Sequence, residues 1–331
     1  MFAFFWTDQN SIHLNSQIAQ KIRSKQNYSH ENKEILWSVD WQSNNGNIAV
    51  GGNIDSLLIY DSKTFKKIKS FQSSNTITNL AWHPSENKLA VNNQLSEYPS
   101  YLFLFEEDKK IYLEGICADG ARGLDWNYNG EFLIIGDNDG QILIYNRSGE
   151  LIRKFTNQST SSITSIACHP RKNIFLVLSD KIRIFDINGK LLLEIKHRPE
   201  KVILLTADWH PSGSMFATGD YGNINDPSLL QFWSESGEQI LTVKRSLGEY
   251  RCVKWNKKGD QLATASDKLR IWNKNGTLKY EGNSQSYLWG LSWNDKGSRI
   301  ITTSLLENIE LWKSNGKQIK SLNHEALNKN D

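Results

Sequence analysis

The amino-acid sequence predicts an all-β fold, a seven-bladed β-propeller built from four-stranded antiparallel blades. A short apolar segment ending in tryptophan, or once in cysteine, occurs seven times in the 331 residues. The end points of these segments are 41, 44, 42, 41, 46 and 38 residues apart. Each repeat also contains three further strand-like segments separated by polar turns that contain glycine. This combination of period and strand number is typical of propeller blades rather than of helical repeats.

The first strand of each predicted blade ends at an anchor position. These strands read LWSVDW (36–41), ITNLAW (77–82), ARGLDW (121–126), ITSIAC (163–168), LLTADW (204–209), YRCVKW (250–255) and LWGLSW (288–293). The anchors are therefore Trp41, Trp82, Trp126, Cys168, Trp209, Trp255 and Trp293. Because an indole buries a large apolar area, we expect the tryptophans to lie buried between blades.

The third repeat illustrates the rest of a blade. The first strand is followed by the turn NYNGE, the strand FLIIG, the turn DNDG, the strand QILIY, the turn NRSG and the segment ELIRKF. This last segment alternates polar with apolar residues, a pattern typical of a strand. The glycine of each turn supplies the positive φ that a tight hairpin needs.

The ends of the first and third strands carry a family resemblance. The first strand is followed by WHPS (82–85 and 209–212) or CHPR (168–171), and elsewhere by NGN, NGE, KGD or KGS. The third strands end in Tyr60-Asp61, Phe105-Glu106, Tyr145-Asn146, Phe185-Asp186, Trp233-Ser234, Trp272-Asn273 and Trp312-Lys313. Over residues 36–323 this pattern resembles the WD-repeat family, in which the third strand ends in Trp-Asp and a Pro-Gly turn follows the first.

Two departures limit what the resemblance implies. No repeat keeps the literal Trp-Asp pair, and the Gly-His dipeptide that precedes the first strand in the family is missing from every repeat. The family's His-Ser-Asp-Trp hydrogen-bond network is therefore not assumed. The resemblance implies the propeller fold, whereas a shared fold says little about function.

The termini bear on how the ring closes. We divide the chain into an N-terminal segment (1–35), the propeller (36–323) and a tail (324–331). Residues 2–7 and 11–15 have strand patterns, and we expect the N-terminal segment to complete or cover the last blade, which removes an exposed sheet edge. The segment KQIKSLN (317–323) also has the pattern of a fourth strand, so one of the two is surplus or forms a fifth strand. The alternative for the apolar run 1–6 is the remnant of a trimmed export signal.

The composition of the chain limits the classes of partner and the cellular setting that we expect. The 39 basic and 36 acidic residues leave a net charge of +3 without long runs of one sign, so charge gives no case for a nucleic-acid partner. No 18 consecutive residues are apolar, which excludes a membrane-spanning helix and gives no case for a membrane partner. The three cysteines form no CxxC motif, which favours a reducing, cytoplasmic setting without zinc or disulfides.

Catalytic motifs are absent from the sequence, which has no GxSxG, no phosphate-binding glycine loop with lysine and no HExxH. We therefore expect no enzyme, catalytic residue or cofactor, and we expect the histidines of the His-Pro turns to cap those turns.

Carboxylates precede the anchor in alternate blades, at Asp40, Asp125 and Asp208. Three converging carboxylates are able to hold a hard cation. We instead expect each to pair with a lysine, such as Lys254 one blade later, or with a backbone N–H, and we predict no metal.

In the WD-repeat family the second residue of the first strand lies near the channel mouth on the top face. The resemblance assigns this place to Trp37, Thr78, Arg122, Thr164, Leu205, Arg251 and Trp289. Tryptophan and arginine are enriched in binding hot spots. The alternative is that both indoles only pack between blades.

Two long loops between second and third strands indicate the same face. The segments NNQLSEYPS (92–100) and GDYGNINDPS (219–228) exceed turns such as SDK (266–268), and in WD-repeat topology they emerge on the top. Each contains a tyrosine and a proline, Tyr98 with Pro99 and Tyr221 with Pro227. Rigid scaffolds commonly carry function on such loops. The alternative is that both loops are tolerated insertions.

The sequence therefore predicts a non-catalytic scaffold whose top face binds a protein or peptide. The alternative is a propeller hydrolase or lyase with a metal site in the channel. The predicted partner-binding residues are Trp37, Arg122, Arg251, Trp289, Tyr98 and Tyr221. The aromatic residues are expected to anchor apolar groups, and the arginines to pair with acidic groups.

Overall fold

The structure is a computed structural model that describes residues 34–43, 46–54, 56–73, 75–94, 99–198, 202–222, 226–284, 286–305 and 308–323. In these residues 28 strands form seven four-stranded sheets. The strands of each sheet are adjacent in chain order and pair antiparallel, as in blade 1. The predicted all-β, seven-bladed propeller is confirmed.

Blades 1 to 4 are built from the first sixteen strands. Blade 1 contains β1 (Leu36–Trp41), β2 (Asn47–Gly52), β3 (Ser56–Asp61) and β4 (Lys67–Gln72). Blade 2 contains β5 (Ile77–Trp82), β6 (Lys88–Asn93), β7 (Ser100–Leu104) and β8 (Lys109–Tyr112). Blade 3 contains β9 (Ala121–Trp126), β10 (Phe132–Asp137), β11 (Gln141–Asn146) and β12 (Leu151–Thr156). Blade 4 contains β13 (Ser165–Cys168), β14 (Ile174–Leu178), β15 (Ile182–Asp186) and β16 (Leu191–Ile195).

Blades 5 to 7 complete the ring. Blade 5 contains β17 (Leu204–Trp209), β18 (Met215–Asp220), β19 (Leu230–Ser234) and β20 (Gln239–Val243). Blade 6 contains β21 (Cys252–Trp255), β22 (Gln261–Ala265), β23 (Leu269–Asn273) and β24 (Leu278–Gly282). Blade 7 contains β25 (Leu288–Trp293), β26 (Arg299–Ser304), β27 (Asn308–Lys313) and β28 (Gln318–Asn323).

Burial follows the position of a strand in its blade. The first strands contact those of neighbouring blades and line the channel. Second strands such as β2 are buried throughout, whereas fourth strands such as β12 are largely exposed. The six anchor tryptophans have relative exposures between 4% and 8%, as predicted, and Cys168 is half-buried. The core therefore lies between blades, where the faces of adjacent sheets meet.

The histidines of the His-Pro turns join neighbouring blades. The Nδ1 atom of His83 accepts the backbone N–H of Glu86, at 2.9 Å, which is the predicted turn cap. Its Nε2 lies 2.9 Å from the carbonyl oxygen of Gly130 in blade 3 and donates to it when Nδ1 is the acceptor. Gly130 has a φ of 74°, and a Cβ there would lie 2.3 Å from the imidazole, so this junction requires glycine. His169 and His210 bond the next blade in the same way.

The ring closes where blade 7 packs against blade 1. The Ser292 hydroxyl donates to Asp40 across the junction, at 3.0 Å, and accepts the backbone N–H of Trp41, at 3.1 Å. A Cβ on Gly290 would lie 3.0 Å from the Val39 nitrogen, which shows how closely the two backbones approach. Strand β28 holds the fourth position of blade 7.

The predicted contribution of the N-terminal segment to closure lies outside the described residues, as does the predicted tail, and both stay predictions. Within the described ranges every regular element is a strand. The same ranges contain no helix that is long and apolar enough to cross a membrane.

Trp126 provides a test of the anchors. Its indole N–H donates to the Ala81 carbonyl, at 3.2 Å, and its ring packs edge-on against His83. Replacing Trp126 with alanine should lower the free energy of unfolding by about 3–5 kcal/mol, because it leaves a cavity between blades. The measurement is urea denaturation followed by circular dichroism.

Tyr128→Ala is the matched control, since this aromatic residue of the same blade is 46% exposed. It should change the free energy of unfolding by no more than about 0.5 kcal/mol. Equal losses in the two variants would contradict the role assigned to the anchors.

Candidate binding site at the channel mouth

A β-bulge sets apart the second residue of the first strand. In blade 1, Leu36 pairs with Gly52 and Ser38 pairs with Gly51, so Trp37 has no partner across the ladder. A bulge interrupts the alternation of side chains and redirects the extra residue. The register shifts in the same way at Thr78, Arg122 and Leu205. In blade 7 it shifts between Leu288 and Leu291, a stretch that contains Trp289. Strands β13 and β21 instead begin two positions later, immediately after Thr164 and Arg251.

The structure brings together five of the six predicted partner-binding residues. The rings of Trp37 and Trp289 are 5.0 Å apart, across the junction that closes the ring. The guanidinium of Arg122 lies 5.1 Å from the Trp37 ring, and that of Arg251 lies 4.0 Å from the Trp289 ring. Tyr221 lies beyond Arg251, at 5.8 Å. We call these five residues the mouth cluster. Tyr98, the sixth, lies outside the described residues.

The two arginines differ in their surroundings. Arg251 donates from Nε and Nη2 to the Glu249 carboxylate, at 3.0 and 2.6 Å. Burial, together with the nearby charge of Arg251, lowers the pKa of Arg122 to about 10. The guanidinium of Arg122 is therefore partly removed from water and lies near a second positive charge.

Three residues beside the mouth cluster escaped the sequence analysis. Leu247 is 61% exposed, and Glu249 follows it in the loop between β20 and β21. The Tyr287 ring covers the backbone of this loop, since a Cβ on Gly248 would lie 2.5 Å from it. We call Leu247, Glu249 and Tyr287 the rim. The loops that precede the other first strands differ in sequence, so no repeated signal marks these three residues.

Below the mouth, the channel carboxylates bond the backbone of the next blade. Each accepts the N–H of that blade's anchor, at distances of 2.7 to 2.8 Å. The pairs are Asp40 with Trp82, Asp125 with Cys168 and Asp208 with Trp255. The Lys254 ammonium lies 3.4 Å from Asp208. Both kinds of partner expected from the sequence are thus present.

Burial is the main cause of the pKa shifts of the three channel carboxylates. It raises the pKa of Asp40 and Asp208, and it raises that of Asp125 to about 6. The charge of Asp208 raises the pKa of Lys254. No group of three histidine, cysteine or acidic side chains in the described part of the chain is arranged to hold a metal ion. The carboxylates act here as hydrogen-bond acceptors that join blades.

Comparison with known proteins supports the family resemblance. A family model described as WD domain, G-beta repeat (WD40) matches residues 114–146, which contain the first three strands of blade 3. Intraflagellar transport protein 80 homolog of Mus musculus is 22% identical over 197 residues, which cover 57% of this chain and 24% of the relative. Eukaryotic translation initiation factor 3 subunit I of Scheffersomyces stipitis is 22% identical over 168 residues, covering 44% of this chain and 48% of the relative.

A third relative, the putative BTB/POZ domain and WD-repeat protein R61 of Acanthamoeba polyphaga mimivirus, is 24% identical over 278 residues. The match covers 73% of this chain and 54% of that protein. The matched regions thus span about half of these relatives' lengths or less. Together with the seven blades, these matches confirm the WD-repeat resemblance read from the sequence.

The pKa of Asp125 predicts how stability depends on pH. Its value in the folded protein, about 6, exceeds the ordinary value of 3.8, so the folded state binds the proton more tightly than the unfolded state. The contribution of Asp125 to stability is therefore largest below pH 3.8 and declines as the pH rises to about 6.

Asparagine has no proton to lose and still accepts the Cys168 N–H. Between pH 4 and 6 the wild type should therefore lose free energy of unfolding relative to Asp125→Asn, by less than about 1.4 kcal/mol per pH unit. Urea denaturation at half-unit pH intervals measures this difference. Asp295→Asn, at an exposed turn, controls for the loss of one negative charge. If the wild type instead gains free energy of unfolding relative to Asp125→Asn between pH 4 and 6, burial is not the main influence on the pKa of Asp125.

Proposed function

We propose that this WD-repeat propeller is a non-catalytic binding module whose top face receives a protein or peptide. The observation that carries the proposal is the mouth cluster. Two half-buried indoles and two arginines, from blades that are far apart in the sequence, contact one another around one opening. Tryptophan and arginine side chains at the centre of an interface commonly supply most of its binding free energy.

The mouth and the rim offer complementary chemistry to a polypeptide. Leu247 and the two indoles provide apolar surface, and the arginines provide positive charge. Eukaryotic translation initiation factor 3 subunit I, one of the relatives, is by its name a subunit of a larger factor. By analogy, we infer that this chain also works by contact with other proteins.

Recognition without catalysis fits the channel best. The carboxylates that a hydrolase or lyase would use are engaged by the backbone of the next blade and by Lys254. We extend the proposal to a protein partner rather than nucleic acid or membrane, because the net charge of the chain is only +3.

We also propose a reducing, cytoplasmic setting, since all three cysteines are free thiols.

The tryptophan pair provides the test. Capture with the full chain from a lysate of the source organism identifies a partner, and titration calorimetry then measures its affinity for each variant. Replacing Trp37 or Trp289 with alanine should weaken binding by about 2 kcal/mol, roughly thirty-fold. The free energy of unfolding should fall much less, by about the 0.5–1.5 kcal/mol that an aromatic pair contributes.

Tyr128→Ala is the control, because it removes an exposed aromatic residue from a turn between first and second strands, at the opposite end of the blade. Its affinity for the partner should equal that of the wild type. Unchanged affinity in the tryptophan variants, with a large loss of stability, would mean that the indoles only pack the junction between blades 7 and 1.

A further inference from the structure

The turns at the end of the propeller opposite the mouth differ in charge from blade to blade. These turns connect the first strand of a blade with the second, and the third strand with the fourth. In blades 6, 7 and 1 they contain seven lysines and two aspartates. In blades 2, 3 and 5 they contain eight acidic residues and one arginine. The net charge of the whole chain, only +3, therefore conceals a strong local separation of charge.

We call the lysine-containing turns of blades 6, 7 and 1 the basic arc. It comprises residues 62–66 of blade 1, 256–260 and 274–277 of blade 6, and 294–298 and 314–317 of blade 7. Its lysines are Lys63, Lys66, Lys257, Lys258, Lys274, Lys296 and Lys317. All seven are exposed, and within the described ranges only Lys257 forms an ion pair. The other six ammonium groups are available to an anionic partner.

Contacts between blades bring the turns of the basic arc together. Lys257 Nζ of blade 6 lies 2.5 Å from Asp295 Oδ1 of blade 7. The Ser314 carbonyl of blade 7 accepts an N–H from the first side chain of β22 in blade 6, at 3.5 Å. In blade 1, the ring of Phe65 lies 5.9 Å from Lys320 Nζ of β28. The basic arc is therefore one continuous surface that crosses the junction where the ring closes.

The lysines of the arc act together on a nearby anion because their turns adjoin. Exposed charges reinforce one another within the Debye length, about 10 Å at 0.1 M salt. Blade 4 provides a contrast, since its turns contain three basic residues but lie between the acidic turns of blades 3 and 5. Lys172 of blade 4 pairs with Glu235 of blade 5. The positive charge of blade 4 is thus offset by its neighbours, whereas that of the arc is not.

The composition of the arc favours an acidic polypeptide over a phosphate polymer or a membrane. None of its basic residues is arginine, whose planar fork pairs best with phosphate. Asp260 and Asp295 lie exposed among the lysines and would repel a backbone that carries a charge at every unit. A polypeptide is able to place uncharged residues opposite these aspartates. Phe65, the one aromatic or aliphatic side chain of the arc, is buried, so none is left to insert into a bilayer.

We propose that the basic arc is a second interaction surface, which binds an acidic segment of another protein. Because a single exposed ion pair contributes little, the affinity depends on several lysines together and falls as the salt concentration rises. The arc shares no residue with the mouth cluster and lies at the other end of the blades. Its partner is therefore independent of the ligand of the mouth.

A charged model peptide tests this surface. The probe is a fluorescein-labelled peptide of 15 residues in which seven glutamates alternate with serines, and a second peptide has glutamine in place of every glutamate. Fluorescence anisotropy with the full chain at about 50 mM salt should show at least tenfold weaker binding of the glutamine peptide. Raising the salt concentration to about 300 mM should weaken binding of the glutamate peptide about tenfold or more.

Protein variants then assign the contact to the arc. The arc variant replaces three exposed lysines that form no ion pair within the described ranges, by Lys258→Gln, Lys296→Gln and Lys317→Gln. It should bind the glutamate peptide about tenfold more weakly than the wild type. The matched control removes the same charge from the blade 4 turns, by Arg171→Gln, Lys172→Gln and Lys190→Gln. It should weaken binding less than about threefold, because these charges lie on another blade and are screened.

Other occupants of the arc are tested in parallel. An oligothymidylate of eight nucleotides carries seven phosphates, as many charges as the glutamate peptide, and vesicles that contain phosphatidylserine represent a membrane. If the oligonucleotide binds tenfold more tightly than the peptide, or if vesicles bind, and the arc variant loses that binding, the arc does not serve an acidic polypeptide. Salt-dependent dimers of the wild type that the arc variant does not form would assign the arc to the acidic turns of a second copy.

The remaining outcomes concern the location of the contact. Equal losses in the arc variant and in the blade 4 control would overturn the proposal, as would equal binding of the two peptides. The Trp37→Ala, Trp289→Ala double variant should bind the glutamate peptide like the wild type. If it does not, the peptide binds at the mouth, and the arc loses its assigned role while the mouth keeps its own. Urea denaturation checks that all three variants are folded.

Discussion

The hydrogen bonds that cross from one blade to the next are the constraint on which the rest of the structure depends. A single blade leaves both faces of its sheet open, so each blade gains its core only from its neighbours. At several junctions a carboxylate near the channel bonds the next anchor amide, and at others a turn histidine bonds the next glycine carbonyl. These bonds fix how far one blade is displaced relative to the next. The second residues of all first strands consequently end on one ring.

Much of the fold could be read from the sequence because its determinants repeat. The tryptophan anchors recur at a nearly constant period, and every one of the six is buried where the period predicted. The histidine caps were predictable for the same reason. The second hydrogen bond of these histidines, from Nε2 to a glycine carbonyl of the next blade, could not be predicted. His83 and Gly130 belong to different repeats, and no local pattern relates them. The β-bulges could not be predicted either, since they depend on which residues of two paired strands lie opposite each other.

The candidate site was predictable in its membership but not in its contacts. The family resemblance assigned Trp37, Arg122, Arg251 and Trp289 to one ring, whereas the contact of Trp37 with Trp289 arises only when blade 1 packs against blade 7. Glu249 was missed because it lies in a loop whose sequence is not repeated before the other first strands, so no pattern marks its contact with Arg251. Repetition thus encodes the propeller, whereas the contacts of the candidate site depend on irregular segments.

The position of the tryptophan pair raises the question of whether it serves closure or recognition. Indoles at the junction between blades 7 and 1 would improve packing whether or not a ligand exists. Packing of the rings leaves the arginines unexplained, because burial and the charge of Arg251 both disfavour the charged form of Arg122. Local arrangements that oppose stability are expected mainly at functional sites. The proposed recognition therefore rests more on the charges than on the aromatic rings.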